Sequence, residues 1–137
     1  MFNLLMGNSN SINFFNSIKK INFEEVQVAI NNKDIIIINT LSDDNQNCLI
    51  EGTISSQTEV NLLNECLNHM KDRKIIVYGK NNNDEKLFNK YHQLIELGFT
   101  NVYIYIGGLF EWLLLQEVYG NEQFSTTGSE LDILKYK

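Results

Sequence analysis

The 137 residues hold no proline, one arginine at position 73 and two cysteines, Cys48 and Cys66. Each shortage removes a class of chemistry. With a single guanidinium, any site that grips an anion through a planar two-pronged fork has one candidate in the chain. With two thiols, at most one intramolecular disulfide is possible, and in a reducing compartment two free, buried cysteines are expected instead. Apolar runs such as Ile35 to Ile38 and Leu113 to Leu115 fall far short of the roughly 20 residues that cross a bilayer. No membrane span is expected. The 11 basic residues against 17 acidic ones leave a net charge of -6, without the basic excess that a nucleic-acid backbone demands. Nucleic acid is therefore not expected as a partner. The opening run from Met1 to Gly7 lacks the basic, apolar and small-residue succession of an export signal, which predicts a cytoplasmic setting.

The composition that remains, 43% hydrophobic, suits one compact core. Twenty Asn, 16 Ile and 10 Lys mark an AT-rich coding bias. Individual asparagines therefore carry little mechanistic weight, and a viral or microbial source would fit. Residues 1–20 mix Asn, Ser and Phe without period and predict an N-terminal arm. Residues 21–120 form the expected domain, and residues 121–137 a polar C-terminal tail with one amphipathic stretch around Leu131 to Leu134.

Within the domain, Phe23, Val26 and Ile30 share one helical face behind Asn22, a capping residue, with acids in the first turn. Asp34 to Asn39 is a continuous β-branched run, as a strand covered on both faces would be. A short strand is expected between Cys48 and Ile54, and the apolar spacing from Val60 to Met70 suits a helix. Lys74 to Tyr78 predicts a second buried strand. It runs through the polar loop Gly79 to Asp84 into a helix carrying Leu87, Tyr91, Leu94 and Ile95, with Gly98 at its left-handed terminus. Asn101 to Ile106 predicts a third strand, Gly107-Gly108 a turn, and Leu109 to Tyr119 an aromatic-rich helix. Alternating helices and short apolar strands predict an α/β domain: a central, mostly parallel sheet of about five strands between two helical layers.

Candidate chemistry is thin. Cys48, Cys66, His69 and His92 supply four possible metal ligands, but only Cys66-x-x-His69 makes a close pair, and structural zinc sites bring two together. Neither metal nor cofactor is expected. Cys66 lies on the apolar side of its helix and Cys48 in an Asn-rich segment, so neither has the electropositive, partly exposed setting of a reactive thiol.

The succession Ile75 to Tyr78, the loop at 79–84, a helix, Leu97-Gly98-Phe99, Val102-Tyr103-Ile104 and Gly107-Gly108-Leu109-Phe110-Glu111-Trp112 resembles the rhodanese-like domain family. The Gly-Gly-x-x-x-Trp ending is the most specific element. Residues 21–30 look like the family's first helix, Ile35 to Asn39 like its first core strand, and Glu51-Gly52-Thr53-Ile54 like its Gly-His-Ile turn. The resemblance implies the three-layer fold and structural roles for Gly107, Gly108 and Trp112. It also implies where sulfur transfer would occur. In the family a loop cysteine follows the strand equivalent to Lys74 to Tyr78, backbone N–H groups converge on it, and an arginine closes the loop. Here those positions are Gly79, Lys80, Asn81, Asn82, Asn83 and Asp84. Glycine replaces the nucleophile, and an acid replaces the arginine. The Asp-x-Arg that often ends the first core strand is Asn39-Thr40-Leu41, and the turn histidine is Thr53. Related phosphatases need the same loop cysteine and arginine.

No catalytic residue is therefore expected. The chain reads as a catalytically inactive rhodanese-like domain acting as a protein-interaction, regulatory or structural module, with a protein partner. Two alternatives stand beside it: a sulfurtransferase using a displaced cysteine, and a virion-associated structural protein. In the degenerate loop, Asp84 is expected to cap the next helix, with anion binding near Lys80 as the competing reading.

Overall fold

The computed structural model describes residues 18–137, so residues 1–17 of the expected arm lie outside the described residues. Four strands, β1 (Lys20–Ile21), β2 (Ile36–Asn39), β3 (Ile75–Tyr78) and β4 (Val102–Tyr105), form one parallel sheet in the order β1-β4-β3-β2. Parallel neighbours need crossovers. These include the helices α1 (Phe23–Ile30), α2 (Ser56–His69), α3 (Glu85–Leu97) and α4 (Gly108–Tyr119).

Successive strand side chains point to opposite faces, so a continuous apolar run feeds two cores at once. Ile36, Ile38, Ile75, Val77, Val102 and Ile104 face Leu63 and Cys66 of α2 and Leu87, Tyr91 and Leu94 of α3. Ile37, Ile76, Tyr78 and Tyr105 face the other way, onto Val26 and Ala29 of α1 and Leu109, Trp112 and Leu113 of α4. This is the expected three-layer arrangement. Each fully buried aliphatic side chain contributes roughly 1.5–3 kcal/mol.

Helix ends follow local chemistry. Glu25 reaches back to the Asn22 N–H at 2.8 Å to start α1, and Ser55 accepts from the Thr58 N–H at 3.3 Å to start α2. Gly98, at φ 110°, ends α3 in the left-handed region where side chains are disfavoured.

Two expectations need correction. Among the described residues the sheet has four strands, not about five, because the segment from Cys48 to Ile54 forms only isolated bridges, Ile37 to Thr53 in parallel and Ile50 to Thr126 antiparallel. Gly52, at φ 88°, turns the chain between those two contacts, leaving no run long enough for a strand. Nor is the C-terminal segment merely polar. Phe124 and Tyr136 are buried in the α1/α4 core, and the backbone pairs Glu51 N–H to Ser125 O (3.0 Å) and Thr127 N–H to Leu49 O (2.8 Å) fix the segment to the body.

Candidate functional site

The β3–α3 loop lies at the carboxyl edge of the parallel sheet, where open α/β sheets place their crevices. Tyr78, the last residue of β3, is fully buried, and Gly79 follows it directly. At the far end of the loop Asp84 is also buried and begins α3. Its Oδ1 accepts from the Lys86 N–H at 3.1 Å. Its Oδ2 turns back into the loop and accepts from the Lys80 N–H at 3.2 Å. The Thr40 hydroxyl, at the end of β2, lies 3.4 Å from both that oxygen and the Tyr78 carbonyl and can donate to either.

The carboxylate therefore occupies the space in front of Gly79. A Cβ placed on Gly79 would sit 2.5 Å from Asp84 Oδ2 and 2.9 Å from Thr40 Oγ1. Gly79 has no positive φ, so this contact, not the backbone, is what requires glycine. The other loop residues serve the frame. Asn81 Oδ1 accepts from the Asn83 N–H at 2.8 Å, and its amide group donates to the Tyr136 carbonyl at 2.8 Å. Lys80 and Asn82 are exposed.

The glycine pair sits beside this loop. The first N–H groups of α4 donate into it: Leu109 to the Gly79 carbonyl and Phe110 to the Lys80 carbonyl, both at 2.9 Å. That approach is possible because Gly108, at φ 69°, has no Cβ. One built there would lie 2.8 Å from the Gly79 oxygen and 2.9 Å from the Asn81 nitrogen. One turn on, Trp112 is fully buried and its indole N–H donates to the Ser125 carbonyl at 3.1 Å.

The remaining motif positions make hydrogen bonds within the fold. Thr53 accepts from the Tyr78 phenol at 2.8 Å and donates to the Ile50 carbonyl, while the phenol accepts from the Ile50 N–H at 3.1 Å. Burial pushes the Tyr78 phenol above the ordinary tyrosine range. Asn39 pairs with Gln46 and accepts from the Leu41 N–H at 3.0 Å. Arg73 precedes β3, at the opposite edge of the sheet, and its guanidinium donates to the Asp34 and Lys33 carbonyls at 2.9 Å. Both thiols are free and buried. Cys66 lies in the α2/α3 core, and Cys48 is held above its usual titration range chiefly by burial.

A cavity of about 160 Å³ opens beside Asp84, and its lining includes Thr40, Ser42, Lys80, Lys86 and Lys135. Sequence reasoning missed Thr40, Lys86 and Lys135 as its neighbours. Thr40 sits at the end of a strand next to β3, which could have singled it out. Lys135 arrives through a contact across more than 50 residues, for which a single sequence gives no signal.

A family model described as Rhodanese-like domain matches residues 22–115. Among solved structures, the BH2092 protein from Bacillus halodurans is 17% identical at a TM-score of 0.61, covering 91% of this chain and 91% of that one. The Alr3790 protein from Anabaena sp. is 21% identical at a TM-score of 0.57, covering 84% of this chain and 97% of that one. An EanB variant in complex with ergothioneine covalently linked to a persulfide cysteine is 16% identical at a TM-score of 0.56, the match covering 70% of this chain and 26% of that one. No curated protein matches significantly.

Proposed function

The chain belongs to the rhodanese-like domain family, and on that premise we propose that it is a non-catalytic member acting as a protein-interaction, regulatory or structural module. One observation carries the reading: the Asp84 carboxylate lies against Gly79, in the space a loop thiol would need. Sulfur transfer requires a nucleophile that forms and releases a persulfide. Glycine has no side chain to do so, and a neighbouring carboxylate would repel a thiolate.

The displaced-cysteine reading finds no support in the setting of either thiol. A nucleophilic thiol needs partial exposure and a lowered pKa. Cys48 and Cys66 are buried, and the shift at Cys48 runs upward. An interaction role is favoured by the outward side of α4, where Leu114, Val118 and Tyr119 are exposed beside Glu117. Leu134 is exposed on the adjoining turn Ile133–Tyr136. Exposed apolar surface of this kind marks contact sites.

The test is a thiosulfate:cyanide sulfurtransferase assay on the full chain and on Cys48→Ser and Cys66→Ser. The expected result is no turnover above buffer in any of them. Turnover abolished by one substitution would replace this reading with the displaced-cysteine one.

A further inference from the structure

The outward side of α4 is apolar and acidic at once. Phe110, Leu114 and Val118 recur at i, i+4 and i+8 and so form one stripe along the helix. Val118 is 72% exposed and Leu114 43%. Phe110 and Leu114, with Ile106 and the loop residues Asn81 and Asn82, line a groove of about 390 Å³, and Glu111 stands in its wall. Glu117 lies beside Val118 in the last turn of the helix, which carries no base and whose dipole disfavours an acid. From Tyr91 to Leu134 the chain has six acids and no lysine or arginine. Of the bases on neighbouring segments, Lys135 is paired with Glu130, Lys80 lines the cavity beside Asp84, and Lys19 and Lys74 lie over the Tyr103 ring at 5.6 and 5.0 Å. Among the described residues neither Glu111 nor Glu117 is in an ion pair.

We propose that this side of α4 docks a basic amphipathic segment of a partner protein, with apolar side chains seated on Ile106, Phe110, Leu114 and Val118 and lysine or arginine reaching Glu111 and Glu117. Such a segment supplies both things the surface lacks, an apolar cover and a counter-charge. This partner chemistry rests on the interaction role given above to the same helix. The acids argue against the other occupants. A two-fold contact between copies of the chain across this stripe would bring Glu111 and Glu117 against the same acids of the second copy. A lipid surface with anionic headgroups would meet the same repulsion.

The experiment is an amide-resolved NMR titration of the full chain with a synthetic helical peptide that presents leucine on one face and lysine on the other. A counter-probe keeps the leucine face and carries glutamate in place of lysine. The variants are Val118→Ser and Glu117→Lys, with Glu65→Lys on α2, in the opposite helical layer, making the same change of net charge as a control. All three positions are exposed, so no variant threatens the fold. The expected result is saturable shifts centred on Leu114, Glu117 and Val118, with affinity that falls as salt is raised. Each α4 variant should weaken binding about tenfold, Glu65→Lys should leave it unchanged, and the counter-probe should not bind. Shifts spread over other acidic surfaces, equal binding of the counter-probe, or undiminished affinity in both α4 variants would overturn the proposal. So would a dimer of the chain alone in sedimentation, or flotation with zwitterionic or anionic vesicles, if Val118→Ser abolished it. Failure of the titration while the sulfurtransferase assay stays blank removes this partner chemistry alone, whereas turnover in that assay removes the non-catalytic reading whatever the peptide does.

Discussion

The turns after β3 and β4 lie side by side at one edge of the sheet, and each contains glycine, but for opposite physical reasons. At Gly108 the backbone itself makes the demand: φ is positive, and the loop's Gly79 oxygen and Asn81 nitrogen stand where a Cβ would go. At Gly79 the backbone is ordinary, and the obstruction is a side chain, the carboxylate of Asp84. The first turn is fixed by how α4 must approach. The second is fixed by a residue that can itself be exchanged. A backbone frame can therefore be held in one turn while the side chains of its neighbour are free to differ.

That contrast can be broken by mutation. Gly108→Ala combines left-handed strain with overlap against backbone, and should destabilise by about 3 kcal/mol in chemical denaturation, whatever occupies position 84. Gly79→Ala should cost about 2 kcal/mol in the natural background. In an Asp84→Ala background its cost should fall below about 1 kcal/mol, because the closest contact, the Asp84 oxygen at 2.5 Å, is gone. Equal costs in both backgrounds would contradict the assignment. Asp84→Ala alone should cost about 1 kcal/mol through loss of the α3 cap.

At neutral pH the smallest effect, one that emerges only in alkali, concerns the residues just before the two turns. Tyr78 and Tyr105 are in-register partners on β3 and β4. Burial raises both phenols above the usual range, and Tyr105 is raised further by donating to Glu111 at 2.6 Å. A phenol whose folded pKa lies above its unfolded value contributes stability that is intact below pH 10 and lost as pH rises through it. At pH 10 the pair should already have lost about 0.8 kcal/mol, increasing by up to about 2.7 kcal/mol per further pH unit. Ultraviolet titration should show these two tyrosines ionising only with unfolding, and Glu111→Gln should bring Tyr105 down while leaving Tyr78 unmoved.

How far the sequence could be read differs between the two sides of the sheet. The α2/α3 side is built from aliphatic runs and local caps, and strands β2, β3 and β4, the helix from Leu87 to Ile95 and the role of Gly98 were legible there because nearest neighbours decide them, whereas the two-residue β1, set by pairing with β4 alone, was not. The α1/α4 side depends on Trp112, Tyr78 and Tyr105, whose polar tips find partners far along the chain at Ser125 and Ile50 or just ahead at Glu111. The burial of Phe124 and Tyr136 belongs to the same class and carried no periodic signal in a polar stretch. At the candidate site, the capping role of Asp84 was plain from residue type. That the same carboxylate also turns back against Gly79 depends on side-chain direction, which spacing does not encode.

Intact-mass analysis of the full chain after incubation with a sulfane-sulfur donor tests the proposed loss of sulfur transfer most directly. The account predicts no species carrying an added sulfur under native conditions, where both thiols are buried. A persulfide formed on Cys48 or Cys66 in the folded chain, and discharged by cyanide, would contradict it.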